Sequence, residues 1–221
     1  MPEPIPINPK QGYDLWAPTY DNTPNPVVAL DSRHTISHLA PQPGEHILDA
    51  GYGTGRNIQP LLDAGAIPTG VDFSDGMLSV AKQRHPDVSF TVSSLDQLPD
   101  DWSDFDAVLC ALLGEHLSSI DPVFASLHRV TKPGGRLVFS FYHPWMAEAG
   151  IEANFTLAEK EYRLGAETHS IDDYAKSIAD AGYTDVTTTV YDVDDELVSR
   201  VQKAEKYLGK PILVVLCTTQ P

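Results

Sequence analysis

The chain has 221 residues, 42% of them apolar, enough for one sizeable domain or one domain with a small cap. Its 15 basic residues face 31 acidic ones, for a formal net charge of -16. Binding to a phosphate backbone is driven by Lys and Arg, so neither nucleic acid nor an anionic membrane surface is expected as a partner.

No run approaches the ~20 apolar residues of a membrane span. The start, Met1-Pro2-Glu3-Pro4-Ile5-Pro6, lacks the basic and apolar regions of a signal peptide, and a cytoplasmic protein is expected. Cys110 and Cys217 sit in apolar strand-like runs and read as reduced core thiols.

In chain order, residues 1–44 come first, with Tyr13, Trp16, Tyr20 and a helical stretch at about 26–40. Pro43-Gly44 then breaks the chain before a strand at 45–50. That strand carries Asp49 and runs into Gly51-x-Gly53-x-Gly55. Glycine allows a tight turn and a close approach of a ligand to bare backbone. The following helix, expected at 55–65, would present unpaired N–H groups at its start. A dinucleotide fingerprint needs G-x-G-x-x-G, and here the third glycine comes one residue early. A Walker loop needs a Lys that is absent. A generic turn explains one or two glycines, but not three after Asp49.

Further strands are expected at 67–72, 88–93, 106–111 and 136–142, and two later ones at 184–191 and 212–218. Helical patterns fall at 75–84, 121–131, 171–181 and 194–207. Lys132-Pro133-Gly134-Gly135 reads as a turn into the fifth strand. This alternation predicts an α/β fold: a Rossmann-like, doubly wound, seven-stranded, mostly parallel sheet with helices on both faces. Residues 1–44 would form an N-terminal helical cap on a core of 45–221. The long connection 143–170 would be a covering insertion, and both segments are placed to cover the C-terminal edge of the sheet, where such folds bind ligands.

The glycine run resembles the first motif of class I S-adenosylmethionine-dependent methyltransferases. The likeness continues through Gly70-Val71-Asp72-Phe73-Ser74, Ser94-Leu95-Asp96-Gln97-Leu98-Pro99, Phe105-Asp106-Ala107-Val108 and Leu127 to Leu137. The opening Tyr13-Asp14-Leu15-Trp16-Ala17 with Tyr20-Asp21 is also similar, and the nearest branch is the ubiquinone/menaquinone-biosynthesis type.

The resemblance implies S-adenosylmethionine as cofactor, with Gly51, Gly53 and Gly55 along its methionine arm and Tyr20 beside it. Asp72 would accept both ribose hydroxyls, since an ionised carboxylate is acceptor-only. Phe73 and Met77 would flank the adenine or pack the core. Asp49 would order the glycine loop or meet the methionine ammonium. Ser94 stands where the family often has an acidic residue toward the adenine amino group, and Leu95 would offer a backbone N–H.

Methyl transfer depends mainly on alignment. If a base is used, His143, just past the fifth strand, is the first candidate, followed by His169 and His116. Tyr13, Trp16, Tyr142, Trp145 and Tyr162 either pack the covering segments or line a pocket for a small organic acceptor. No compact metal-ligand cluster is present in the sequence, so no metal is expected, and the assembly would be a monomer or homodimer.

Overall fold

The computed structural model describes residues 3–221. Met1 and Pro2 of the expected cap and of the leader reading lie outside the described residues. In chain order the strands are β1 (Ile5–Pro6), β2 (His46–Ala50), β3 (Ile67–Asp72), β4 (Ser89–Val92), β5 (Phe105–Ala111), β6 (Thr131–Tyr142), β7 (Asn154–Leu157), β8 (Lys160–Arg163), β9 (Thr184–Asp192) and β10 (Pro211–Thr219). The helices are α1 (Pro9–Trp16), α2 (Pro26–Leu39), α3 (Ile58–Asp63), α4 (Asp75–Arg84), α5 (Asp121–Val130), α6 (Trp145–Glu148), α7 (Ile171–Asp180) and α8 (Asp195–Arg200).

The main sheet has seven strands in the order β4-β3-β2-β5-β6-β10-β9. The four pairings from β4 to β6 are parallel, and β10 runs antiparallel to both neighbours. One core, with Phe124 and Leu127 of α5 and Tyr174 and Ile178 of α7, covers one face. The other face carries Leu30 of α2, Leu61 of α3 and Leu197 of α8. The fold class is the one expected.

Several boundaries moved for local reasons. The glycine loop passes through turns, and α3 starts only at Ile58. Lys132–Gly135 is a bulge inside β6 rather than a turn before it: Thr131 pairs with Phe105, and pairing resumes at Arg136 with Ala107. The Gly134 N–H donates to the Gln220 carbonyl at 2.9 Å and holds the bulge. The helix expected over 194–207 breaks at Val201, whose backbone is extended.

Residues 26–40 are not cap. α2 packs on the sheet and buries Val27, Leu30 and Leu39 there, with only its N-terminal end at the cavities. The cover is instead α1, the 3-10 turn Ala17–Asn22 and a hairpin within 143–170. That hairpin, β7–β8, turns through Ala158 and Glu159, both at positive φ, and β1 joins it in parallel. A small core of Trp16, Ala153, Phe155 and Leu164 binds the two covering segments, with Trp16 stacked on Phe155 at 5.2 Å. Among the described residues, no helix is long and apolar enough to cross a membrane. Both cysteines are free; Cys110 is buried and Cys217 partly so.

Candidate active site

Gly51 and Gly53 shape the loop after β2. Gly51 has φ +82°, and its N–H donates to the Val71 carbonyl at 2.7 Å. A Cβ there would lie 2.1 Å from Leu113 Cδ1, so only glycine fits. Gly53, at φ +54°, donates its N–H to Asp72 Oδ2 at 2.9 Å, and nothing lies within 4 Å of where a Cβ would stand. This leaves bare backbone facing open space. Gly55 instead backs onto the end of α4, where a Cβ would lie 3.0 Å from His85 Cδ2 and 3.4 Å from Ala81 Cβ, and it lines none of the three cavities that follow from this loop.

Asp72 ends β3 and is 5% exposed. Its Oδ1 accepts from the Ser74 N–H at 2.9 Å, while Oδ2 takes the Gly53 N–H. Burial raises its pKa to about 6, and the N–H groups of Ser74, Gly53 and Phe73 oppose that rise. Asp49, one strand over, is fully buried, and neither oxygen has a hydrogen-bond partner of full geometry. Burial pushes its pKa up to about 7; the Arg56 guanidinium and then the Asn57 amide act against the shift, and Asp72 adds to it. An unpaired buried carboxyl is costly and calls for a cation. Asp49 makes no hydrogen bond of full geometry to the glycines of the loop.

Three cavities follow one another from this loop. The first, about 390 Å³, lies among Gly51, Asp72, Phe73, Ser94, Leu95 and Asp96. The second, about 50 Å³, lies under Gly53 and is lined by Arg56, Met77, Tyr13 and Tyr20. The third, about 220 Å³, is lined by Trp16, Asn25, Glu115, Tyr142 and Met146, again with Tyr13 and Tyr20. Gly51, Asp72, Phe73 and Leu113 border both the first and second, while Tyr13, Tyr20 and Leu112 border both the second and third.

The expected residues therefore divide. Tyr13, Trp16, Tyr20 and Tyr142 do line cavities; the Tyr142 hydroxyl accepts from Asn25 Nδ2 at 3.0 Å. Met77 lies in the middle cavity and is not grouped with Ser94 and Leu95. Trp145 turns away, its Nε1 donating to the Pro211 carbonyl at 2.5 Å, and Tyr162 stacks on Phe155. Neither His143 nor His169 lines any of the three. His143 Nδ1 accepts from the Trp145 N–H at 3.4 Å, and His169 Nε2 contacts the Leu117 carbonyl at 2.7 Å. His116 borders the first cavity, with Nε2 2.7 Å from the Tyr13 hydroxyl and Nδ1 unpartnered. Burial lowers its pKa to about 4, so it is neutral at physiological pH.

The residue that sequence reasoning passed over is Glu115, next to His116. It is 8% exposed, lines the third cavity and leaves Oε2 without a partner. Burial, with a smaller contribution from Asp31, pushes its pKa up to about 8. An acid between two apolar runs was the available signal.

The cover is fastened to the start of α4. Asp14 Oδ1 accepts from Ser74 Oγ at 2.6 Å and from the Gly76 N–H at 2.9 Å, seating α1 on the start of α4. A Cβ on Gly76 would lie 2.7 Å from the Asp14 carbonyl oxygen. Gly76→Ala is therefore expected to push α1 off α4 and raise proteolysis within residues 3–24 under native conditions. A cleavage rate equal to that of the parent protein would contradict this docking.

Residues 48–139 match a methyltransferase domain family. The chain is 37% identical over 138 residues to a demethylmenaquinone methyltransferase of Renibacterium salmoninarum, covering 60% of this chain and 58% of that relative's length. Against the demethylmenaquinone methyltransferase of Paenarthrobacter aurescens it is 30% identical over 218 residues, covering 88% of this chain and 86% of the relative. The chain belongs to the class I S-adenosylmethionine-dependent methyltransferases. A crystal structure of an S-adenosylmethionine-dependent methyltransferase from Mesorhizobium loti shares the fold at TM-score 0.71 and 19% identity, over 86% of this chain and 97% of that one.

The residues of this methyltransferase fit the family's cofactor. The unpartnered Asp49 carboxyl below the glycine loop suits an ammonium, and Gly53 leaves room for a chain to pass. Asp72 keeps lone pairs free for a diol, and Ser94 and Leu95 border the larger cavity beyond it, with room for a purine. Among the described residues, no group of three or more His, Cys, Asp or Glu side chains is placed to hold a metal.

The raised carboxyl groups also fix a pH dependence. Asp49 and Glu115 stay protonated in the fold to about pH 7 and about pH 8, whereas in the unfolded chain they ionise near ~4. The unfolded state thus binds fewer protons across that window, and stability falls as pH rises through it. His116 acts with the opposite sign, but its contribution is complete by about pH 6.5, the ordinary histidine value. The melting temperature of the ligand-free methyltransferase is expected to drop between about pH 6.5 and 8.5, and less so in Glu115→Gln. A flat or rising melting temperature there would contradict these assignments.

Proposed function

We propose that the protein transfers the methyl group of S-adenosylmethionine to a small hydroxylated ring compound held in the third cavity. The observation that carries this reading is the line of cavities: the first meets the second at Gly51, Asp72, Phe73 and Leu113, and the second meets the third at Tyr13, Tyr20 and Leu112. The sulfonium of the bound cofactor supplies an already reactive methyl group. The chain's own work is then to hold the acceptor in line and keep water out, and alignment alone supplies roughly 7–11 kcal/mol.

Tyr13 and Tyr20 stand at the junction, edge to face at 6.0 Å, with Trp16 behind them. Trp16 and Tyr142 give the third cavity the apolar faces that a flat acceptor stacks on. The relatives named for menaquinone and ubiquinone biosynthesis support a ring acceptor of quinol type. Within this reading the protein works in the cytoplasm on a free small molecule, without nucleic acid or membrane, as a monomer or homodimer.

Incubating the protein with S-adenosylmethionine and a panel of naphthols, catechols and quinols tests it. Mass spectrometry is expected to find a singly methylated ring product and S-adenosylhomocysteine in equal amounts. Cofactor binding with no methylated product from any hydroxylated ring would contradict the proposed acceptor.

A further inference from the structure

Glu115 is the one buried acid in the third cavity that the cofactor site does not use. It lies in the short 3-10 turn Gly114–His116 after β5. Its backbone is clamped: a Cβ on Gly114 would lie 2.7 Å from Phe141 Cβ and 2.8 Å from the Tyr174 hydroxyl, and the Glu115 carbonyl accepts the Glu167 N–H at 2.9 Å. Its Oε1 stands 3.9 Å from His116 Nε2, and Oε2 has no partner at all.

The titratable groups that Glu115 acts on, or that act on it, through space are Tyr13 of α1, Tyr20 of the 3-10 turn, Asp31 of α2, Cys110 of β5, Tyr142 of β6 and Tyr174 of α7. None of these is a cation. The Arg56 guanidinium, in the neighbouring cavity, is bound to Asp31 at 2.7 Å. A buried carboxyl left without a partner beside an acceptor cavity is placed for proton transfer. His116 does not compete for this role: its Nε2 is engaged by Tyr13, and it borders the first cavity rather than the third.

We propose that Glu115 is the proton acceptor for a hydroxyl group presented by the acceptor in the third cavity, an inference that rests on the methyltransferase reading above. The acceptor's hydroxyl oxygen forms the new bond to the methyl carbon. The carbon–sulfur bond breaks, leaving its electron pair on sulfur. The hydroxyl proton passes to the ionised Glu115 carboxyl and from there to solvent after product leaves. The enzyme is active in the ionised form of Glu115, so turnover rises with pH up to about 8 and then levels.

The test compares the full chain with Glu115→Gln and Glu115→Asp, using 2-naphthol, whose hydroxyl stays protonated in neutral solution. With S-adenosylmethionine, Glu115→Gln is expected to lose about 100-fold or more in kcat and its rise with pH, while Glu115→Asp recovers part of both. The dissociation constant for S-adenosylhomocysteine is expected to be unchanged in both variants, which shows that they are folded.

Failure of 2-naphthol to bind the parent complex would overturn the proposal. So would identical pH–rate profiles in parent and Glu115→Gln. Failure of S-adenosylhomocysteine to bind the parent protein would overturn the methyltransferase reading itself, and this proposal with it.

Discussion

Asp72→Ala is expected to weaken S-adenosylhomocysteine binding by roughly 10- to 150-fold, because hydrogen bonds to a charged group are worth ~1.5–3 kcal/mol. Two effects combine at this position. The variant loses the carboxylate that we propose accepts the ribose hydroxyls. It also loses the anchor that holds the Gly53 and Ser74 N–H groups, at 2.9 Å each. Asp72→Asn keeps one acceptor oxygen and should fall between parent and alanine. Because the carboxyl titrates at about 6, affinity in the parent protein should also decline below that pH. Calorimetry with S-adenosylhomocysteine measures all three. An unchanged dissociation constant in Asp72→Ala would remove the ribose role.

The largest loss of stability is expected at Arg56. Its Nη1 donates to Asp31 Oδ2 at 2.7 Å and to Ser32 Oγ at 3.0 Å. Asp31 is fully buried, and its Oδ1 accepts from Thr35 Oγ1 at 2.5 Å and Ser140 Oγ at 2.6 Å. This carboxylate ties α2, the glycine loop and β6 together. Removing one partner of a buried pair strands the other and costs about 3–5 kcal/mol. The two hydroxyl bonds remain, so Arg56→Met should sit near the lower end. For a chain of this size that is a melting temperature lower by roughly 6–12 °C. Adding Asp31→Asn removes the stranded charge and should restore much of the loss. A single variant as stable as the parent, or a double variant no better than the single, would contradict this account of the pair.

Most of the framework was legible because the central strands β2, β5 and β10 are apolar runs, and the parallel pattern leaves few orders for seven strands. The covering segments were less so. A hairpin turn at Ala158 and Glu159, both at positive φ, carries none of the Asn or Gly that marks such turns. β1, only two residues long, has no pattern to read, and the break at Val201 interrupts what otherwise reads as helix.

In the site, the glycine at 51 is legible from loop geometry, since its positive φ and the Leu113 side chain leave no room for a Cβ. His143 lies at the sheet edge but does not line the three cavities, because closeness to the edge does not fix direction. Side chains alternate along a strand, so with Tyr142 facing the cavity the next residue faces away, and the His143 N–H still donates to the Ile212 carbonyl at 3.1 Å. Glu115 lay hidden because the role of a buried acid depends on which partners the fold withholds from it.

Calorimetric titration of the purified protein with S-adenosylhomocysteine, beside NAD as a control, tests the central claim most directly. One site per chain with a roughly micromolar dissociation constant is expected, with no heat from NAD. Binding of NAD without binding of S-adenosylhomocysteine would contradict it.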